Sequence, residues 1–291
     1  MTADAAQALQ LTLDGREVAR YHDGADLAPE LSPRPYLHPV RTPAGEILTE
    51  TWPEDHRHHY GVSAAVVDVN GSTYWGGASY VDGTGYVLLP NQGRQTGSTP
   101  EVETAAGRTT LRQRLGWTSA EGVEQIQEDR EVRLAAHADA HLLTWRSSLH
   151  AMSDLTIGSP ATRGRTGAGY GGLFWRVGPA APTEVRVATA DGVVAGEQAA
   201  LGAVGRWLTL TQHRAGGPVT LLLAQPEDAL LPWFVRISGY VGAGPAVAWE
   251  RTVPLGQGET WDLHLWAALV DSEIDDATAD RLHRDLKDLA A

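Results

Sequence analysis

The sequence predicts an all-β fold, a large antiparallel β-supersandwich, and three observations carry that prediction. Turn dipeptides sit between alternating apolar runs, 32 Gly and 16 Pro punctuate the chain, and helical periodicity is confined to its end. Asp14-Gly15 stands between Leu11/Leu13 and Val18. Asn70-Gly71 separates Ala64–Val69 from Ser72–Trp75, and Asp82-Gly83 separates Ala78–Val81 from Tyr86–Leu89. Each pair favours the left-handed conformation that tight hairpins require. Leu111, Leu115 and Trp117 alternate with polar residues, as do Leu143, Trp145 and Leu149. Alternation is clearest through Trp261, Leu263, Leu265, Ala267 and Leu269, with Asp262, His264 and Trp266 on the other face. Val219–Ala224 and Trp233–Ile237 read as buried strands. Only Ile274, Leu282, Leu286 and Leu289 share a helical face, predicting a helix over about 275–290. No βαβ rhythm, repeat or linker interrupts residues 1–291, so a single domain is expected.

Composition removes whole classes of chemistry. Acidic side chains outnumber basic ones 36 to 23, a formal net charge of −13, which disfavours a nucleic-acid or anionic-membrane partner. With no cysteine there is no thiol nucleophile, Cys-ligated zinc or disulfide. The sole lysine, Lys287, lies four residues from the end, a poor place for Schiff-base or phosphate chemistry. Met1–Gln10 lacks the basic and apolar regions of a leader, and no apolar run is long enough to span a membrane. A cytoplasmic location is expected.

Four of the eleven histidines fall within 22 residues: His38, His56, His58 and His59, with Asp55 beside them. If 55–59 is extended, His56 and His58 share a face that His38 could join from a neighbouring strand. Three converging imidazoles suit a transition metal, and the same group without metal suits a general acid and base. The second constellation is Gly158–Arg165 running into Gly169–Arg176. It lacks the lysine and following helix of a phosphate loop, leaving Arg163, Arg165 and Tyr170. Arginine forks suit carboxylates, enediolates or vicinal hydroxyls. Among ten tryptophans, Trp75 and Trp233 lie beside turns and are candidates to stack on a ligand. Trp145, Trp207 and Trp261 read as core.

Several of these segments together resemble a known family. Tyr36-Leu37-His38-Pro39, Asp55-His56-Arg57-His58-His59-Tyr60-Gly61, Asn70-Gly71 with Trp75-Gly76, Gly158–Arg176 and Pro232–Arg236 are similar to the soluble bacterial family labelled "methane oxygenase PmoA-like". Where that family reads Asp-His-Pro-His-His-Arg-Gly, this chain has Arg57 and Tyr60. The label is not an activity: the membrane subunit it borrows from is a bundle of spanning helices. The resemblance implies a galactose-mutarotase-like sandwich and a setting in sugar metabolism.

The leading expectation is an enzyme acting on a sugar or oxidised sugar by proton transfer, as an epimerase, isomerase or lyase. His38, His56, His58 or His59 would be the base, with a second histidine, or Asp55 orienting one, as the acid. Arg163 and Arg165 would stabilise an oxyanion, while Trp75, Asn91, Tyr170 and Arg236 would position the ring. This reading requires no cofactor. One alternative is an oxygenase or hydrolase whose transition metal is held by His38, His56 and His58. Another is a non-catalytic carbohydrate-binding protein. A small sugar-like ligand is the expected partner, and a homodimer is allowed.

Overall fold

The computed structural model describes residues 8–291, so most of the N-terminal stretch read for a leader lies outside the described residues. The predicted hairpins form. Asp14 and Gly15, both with positive φ (49° and 78°), turn Leu9–Leu13 back onto Arg16–His22. Asp82-Gly83 lies in the turn joining Ser79–Val81 to Gly85–Val87. Asn70 and Gly71 make the tightest turn, with Val69 bridging Ser72 directly.

Two antiparallel sheets enclose one core. The smaller has seven strands, in the order Leu9–Leu13, Arg16–His22, Tyr36–Val40, Val62–Ala65, Gly172–Val177, Val241–Pro245 and Trp233–Arg236. The larger has ten, and its long middle strands are Arg108–Thr118, Glu124–His137, Ala140–Ala151 and Thr260–Val270. Inward residues of both sheets, among them Val62, Trp175 and Val235 on one and Leu115, Trp145 and Leu265 on the other, form a continuous apolar cluster. An aromatic side chain buries roughly 150–250 Å². Trp117, Trp145, Trp175, Trp207 and Trp233 are all fully buried. Trp233 is therefore a core residue and not a ligand platform, its indole donating to the Gly205 carbonyl at 2.9 Å.

One polar knot interrupts this core. Glu128 and Arg130, both with fully buried side chains, pair in bidentate fashion at 2.7 and 2.8 Å. The remaining lone pairs and protons are taken up by Trp117, Ser147, Tyr21 and Gln95, and the guanidinium lies 4.8 Å from the Trp145 ring centroid.

The helix Asp276–Ala290 lies on the outer face of the larger sheet, with Leu282, Leu286 and Leu289 against Trp207, Leu222 and Trp266. Asp275 caps its N-terminus by accepting from the Thr278 N–H at 2.8 Å. Asp280 anchors it by accepting from the Trp207 indole and from Arg206, both at 2.7 Å. Asp280→Ala would strand a buried indole N–H, a loss of about 1–3 kcal/mol. Chemical denaturation should show that loss, with Asp280→Asn recovering part of it.

Candidate functional site

Period-two alternation gives the smaller sheet a second, chemically different face. Val62, Ala64, Leu173, Trp175, Trp233 and Val235 point into the core. Their neighbours Ala65, Phe174 and Phe234 point outward and join Trp75 and Ala246 in a separate cluster. Loops wall this outer face into a cavity of about 300 Å³, lined by His56, His58, His59, Trp75, Tyr170 and Arg236 among others.

The histidine segment is coiled, which corrects the extended-strand expectation. The His56 N–H donates to the Pro53 carbonyl at 3.0 Å, and the His59 N–H donates to the His56 carbonyl at 2.9 Å, two successive turns. These turns bring three imidazoles to one wall, with the His56 and His59 rings stacked at 4.7 Å and 28°. Beneath them Arg34, 2% exposed, spends its guanidinium on neutral acceptors. It donates to the carbonyls of Ser32 (3.1 Å), Trp75 (2.9 Å) and His58 (2.8 Å) and to the Ser63 hydroxyl (3.1 Å). This pins the histidine turn to the sheet. Gly77, at φ 73°, is needed where the His58 ring packs on the backbone, because a Cβ there would lie 2.7 Å from His58 Nδ1.

Electrostatics divide the histidines. Burial, then the charge of Arg34, drives His58 down to about 3. Burial, then neighbouring His58 and His56, holds His59 well below its ordinary value of 6.5. Both are neutral near pH 7. Arg176 Nη1 lies 3.4 Å from His59 Nδ1 and can only donate, so the His59 proton sits on Nε2. His56 differs. It is partly exposed, and its Nδ1 lies 2.8 Å from the Asp55 carboxylate, which fixes the N–H on Nδ1 and leaves Nε2 as a free lone pair. Desolvation, the largest single influence, raises the Asp55 carboxyl, but the His56 hydrogen bond and the charges of His56 and Arg176 together outweigh it and hold the group below its usual value.

The rest of the polar lining is phenolic and cationic. The Tyr86 and Tyr170 hydroxyls share a hydrogen bond at 2.9 Å, and Arg165 donates to the Tyr86 hydroxyl with its guanidinium 4.9 Å from that ring centroid. Arg236 donates to Glu197 at 2.9 Å. Arg176, beneath the wall, holds Glu50 at 2.8 Å and packs over Tyr240 at 4.8 Å.

With this geometry established, comparison with known proteins places the chain. A family model matches residues 8–284. The chain belongs to that family, whose description is "Family of unknown function (DUF6807)". The description assigns no activity and does not repeat the PmoA label. No curated protein matches this DUF6807 chain. Among solved structures it is similar to a galactose mutarotase related enzyme from Lactobacillus acidophilus, at 9% identity over 61% of this chain and 74% of the other, with a TM-score of 0.27.

Of the residues singled out from this DUF6807 sequence, Asp55, His56, His58, His59, Trp75, Arg165, Tyr170 and Arg236 line the one cavity. Three do not. His38 bonds Thr49 through Nδ1 at 2.9 Å and stands outside the cavity wall, so the expected His38–His56–His58 convergence does not occur. Among the described residues no group of three or more His, Cys, Asp or Glu is placed to hold a metal ion, and stacked rings such as His56 and His59 present faces rather than lone pairs to one point. Arg163 is bound to Asp68 at 2.8 Å, beside Asn91, in a crevice of about 10 Å³. Asn91 itself donates to the Gly71 carbonyl at 2.9 Å and the Ser79 hydroxyl at 3.1 Å, so both residues brace loops. Tyr86, Tyr240 and Phe234 also line the cavity, and Arg34 and Arg176 support it. None of the five was singled out as a site residue, except that Phe234 and Arg176 lay within recognised segments.

The depressed imidazoles give a pH prediction. His58 titrates at about 3 and His38, through burial, at about 4, against 6.5 when unfolded. Between those values the unfolded chain binds more protons, so stability is full above about pH 6.5 and falls as pH drops toward 4 and then 3. Thermal melts from pH 7.5 to 4 should show this decline, and His58→Asn should flatten it.

Proposed function

We propose that this protein is an enzyme that moves a proton on a small sugar or oxidised sugar, with His56 as the general base and acid. The observation that carries this reading is the Asp55–His56 hydrogen bond on a ring that lines the cavity, which sets the tautomer and leaves Nε2 as the unprotonated nitrogen. Around it stand donors for a developing oxyanion: the Nε2–H of His59, the paired hydroxyls of Tyr86 and Tyr170, and Arg165. Burial first pushes Tyr170 well above its ordinary 10, and its contact with Tyr86 adds to this, so it stays protonated and able to donate. Trp75 and Phe234 supply apolar faces for the ring. A cavity near 300 Å³ is at the small end of the roughly 300–1,000 Å³ range of ligand sites, suited to one sugar ring rather than a chain.

The test is solvent isotope exchange. Aldoses, ketoses, aldonates and uronates are incubated with the protein in D₂O and followed by proton NMR. Enzyme-dependent loss of a carbon-bound proton signal, or faster anomer exchange, is the expected result. No exchange on any member, with binding detected, would favour a non-catalytic sugar-binding protein.

A further inference from the structure

We propose that the cavity selects a sugar acid over the matching neutral sugar, its carboxylate held by Arg165 and Arg236. This rests on the proton-transfer site above and deepens it by naming the ligand class. Asp55 is the one carboxylate among the described lining residues, and it is committed to His56. Two guanidiniums, those of Arg165 and Arg236, line the same cavity. Arg236 gives one amino group to Glu197, a carboxylate that also accepts the backbone N–H groups of Ile237 (2.8 Å) and Ser238 (2.9 Å), so its charge is shared. Arg165 meets only the hydroxyl and ring of Tyr86 and makes no ion pair among the described residues, leaving its charge uncompensated.

The surroundings add to this field. Among the described residues Arg34, behind the histidine turn, has no carboxylate partner, and Arg176 is paired once, with Glu50. Tyr240 shares the lining with Arg165 and Arg236 and carries the Arg176 guanidinium 4.8 Å from its ring centroid, so the charges of all three act on its hydroxyl. His58 and His59, held neutral, offer no competing charge of their own. A cationic cavity in a protein of net charge −13 is a local arrangement and not a reflection of composition. Two guanidiniums, one of them partly satisfied by Glu197, match a single negative charge better than a phosphate dianion, and planar forks suit a planar carboxylate.

The experiment compares matched pairs by isothermal titration calorimetry: D-glucuronate with D-glucose, D-galacturonate with D-galactose, and D-glucose 6-phosphate as the dianion. At least one acid is expected to bind about tenfold or more tighter than its neutral partner. That advantage should shrink as ionic strength rises, disappear in Arg165→Met and persist in part in Arg165→Lys. Circular dichroism and melting of both variants check that they are folded. Equal affinity within both pairs, preference for the phosphate, a full preference surviving Arg165→Met, or no binding by either acid would each overturn the proposal. The two readings fail separately. An acid that binds without isotope exchange sinks proton transfer and leaves this assignment standing, whereas exchange on neutral sugars alone does the reverse.

Discussion

His56→Ala is expected to lower enzyme-dependent isotope exchange by about 10²–10⁴-fold, the usual worth of a positioned general base. Its melting temperature should stay close to wild type, because His56 is partly exposed and its side chain bonds only Asp55. Asp55→Asn should cost less in rate. The amide cannot accept the Nδ1 proton as well as a carboxylate does, so part of the population adopts the other tautomer and points N–H instead of a lone pair at the ligand. His59→Ala is a less clean probe, since that ring is 2% exposed and touches Trp75, Phe174 and Tyr240. Exchange that continues at the wild-type rate in His56→Ala would remove His56 from the mechanism.

The second large effect is one of stability. Glu128→Ala should destabilise the fold by about 3–5 kcal/mol, because it leaves the Arg130 charge buried without its partner. The Trp117 indole and the Ser147 hydroxyl would lose their acceptor in the same step. Removing both charges, as Glu128→Leu with Arg130→Met, should recover much of the loss, since a well-packed apolar pair avoids the desolvation of two ions. Urea titrations of wild type, Glu128→Leu, Arg130→Met and the double variant close a cycle that gives the coupling energy directly. A Glu128→Ala change of less than about 1 kcal/mol would mean that water reaches the pair, against the closed packing observed.

This buried pair also shows where the sequence was hard to read. Strands with clean alternation, such as Thr260–Val270, and the Asp-Gly turns were legible because one local rule decides each. The strand Glu124–His137 was not, since Glu128 and Arg130 take inward positions that the pattern reserves for apolar residues. Its partners come from Tyr21, Gln95 and Ser147, too distant in sequence for any local pattern to expose. The cavity followed the same logic. Clustering drew attention to Asp55–His59, and the glycine-rich stretch to Arg165 and Tyr170. Sharing that stretch also brought in Arg163, which the fold pairs with Asp68 instead. His38 was drawn in by assuming an extended 55–59 segment, whereas the turns begun at Pro53 rotate the imidazoles away from it. Tyr86 and Tyr240 reach the wall from a short hairpin and a loop whose positions are set by tertiary contacts alone.

The two faces of the seven-stranded sheet have a consequence for how such a protein can change over generations. Along one strand, Trp233 and Val235 lie in the core, while Phe234 and Arg236 lie against the candidate cavity. Adjacent codons therefore face different selection. Substitutions at Trp233 or Val235 are filtered by whether a folded chain survives at all. Substitutions at Phe234 or Arg236 are filtered by which molecule is accepted, because the core cluster behind them stays intact. Arg236, half-buried and paired with Glu197, is the position on this strand where a change reaches the cavity while leaving both apolar clusters untouched.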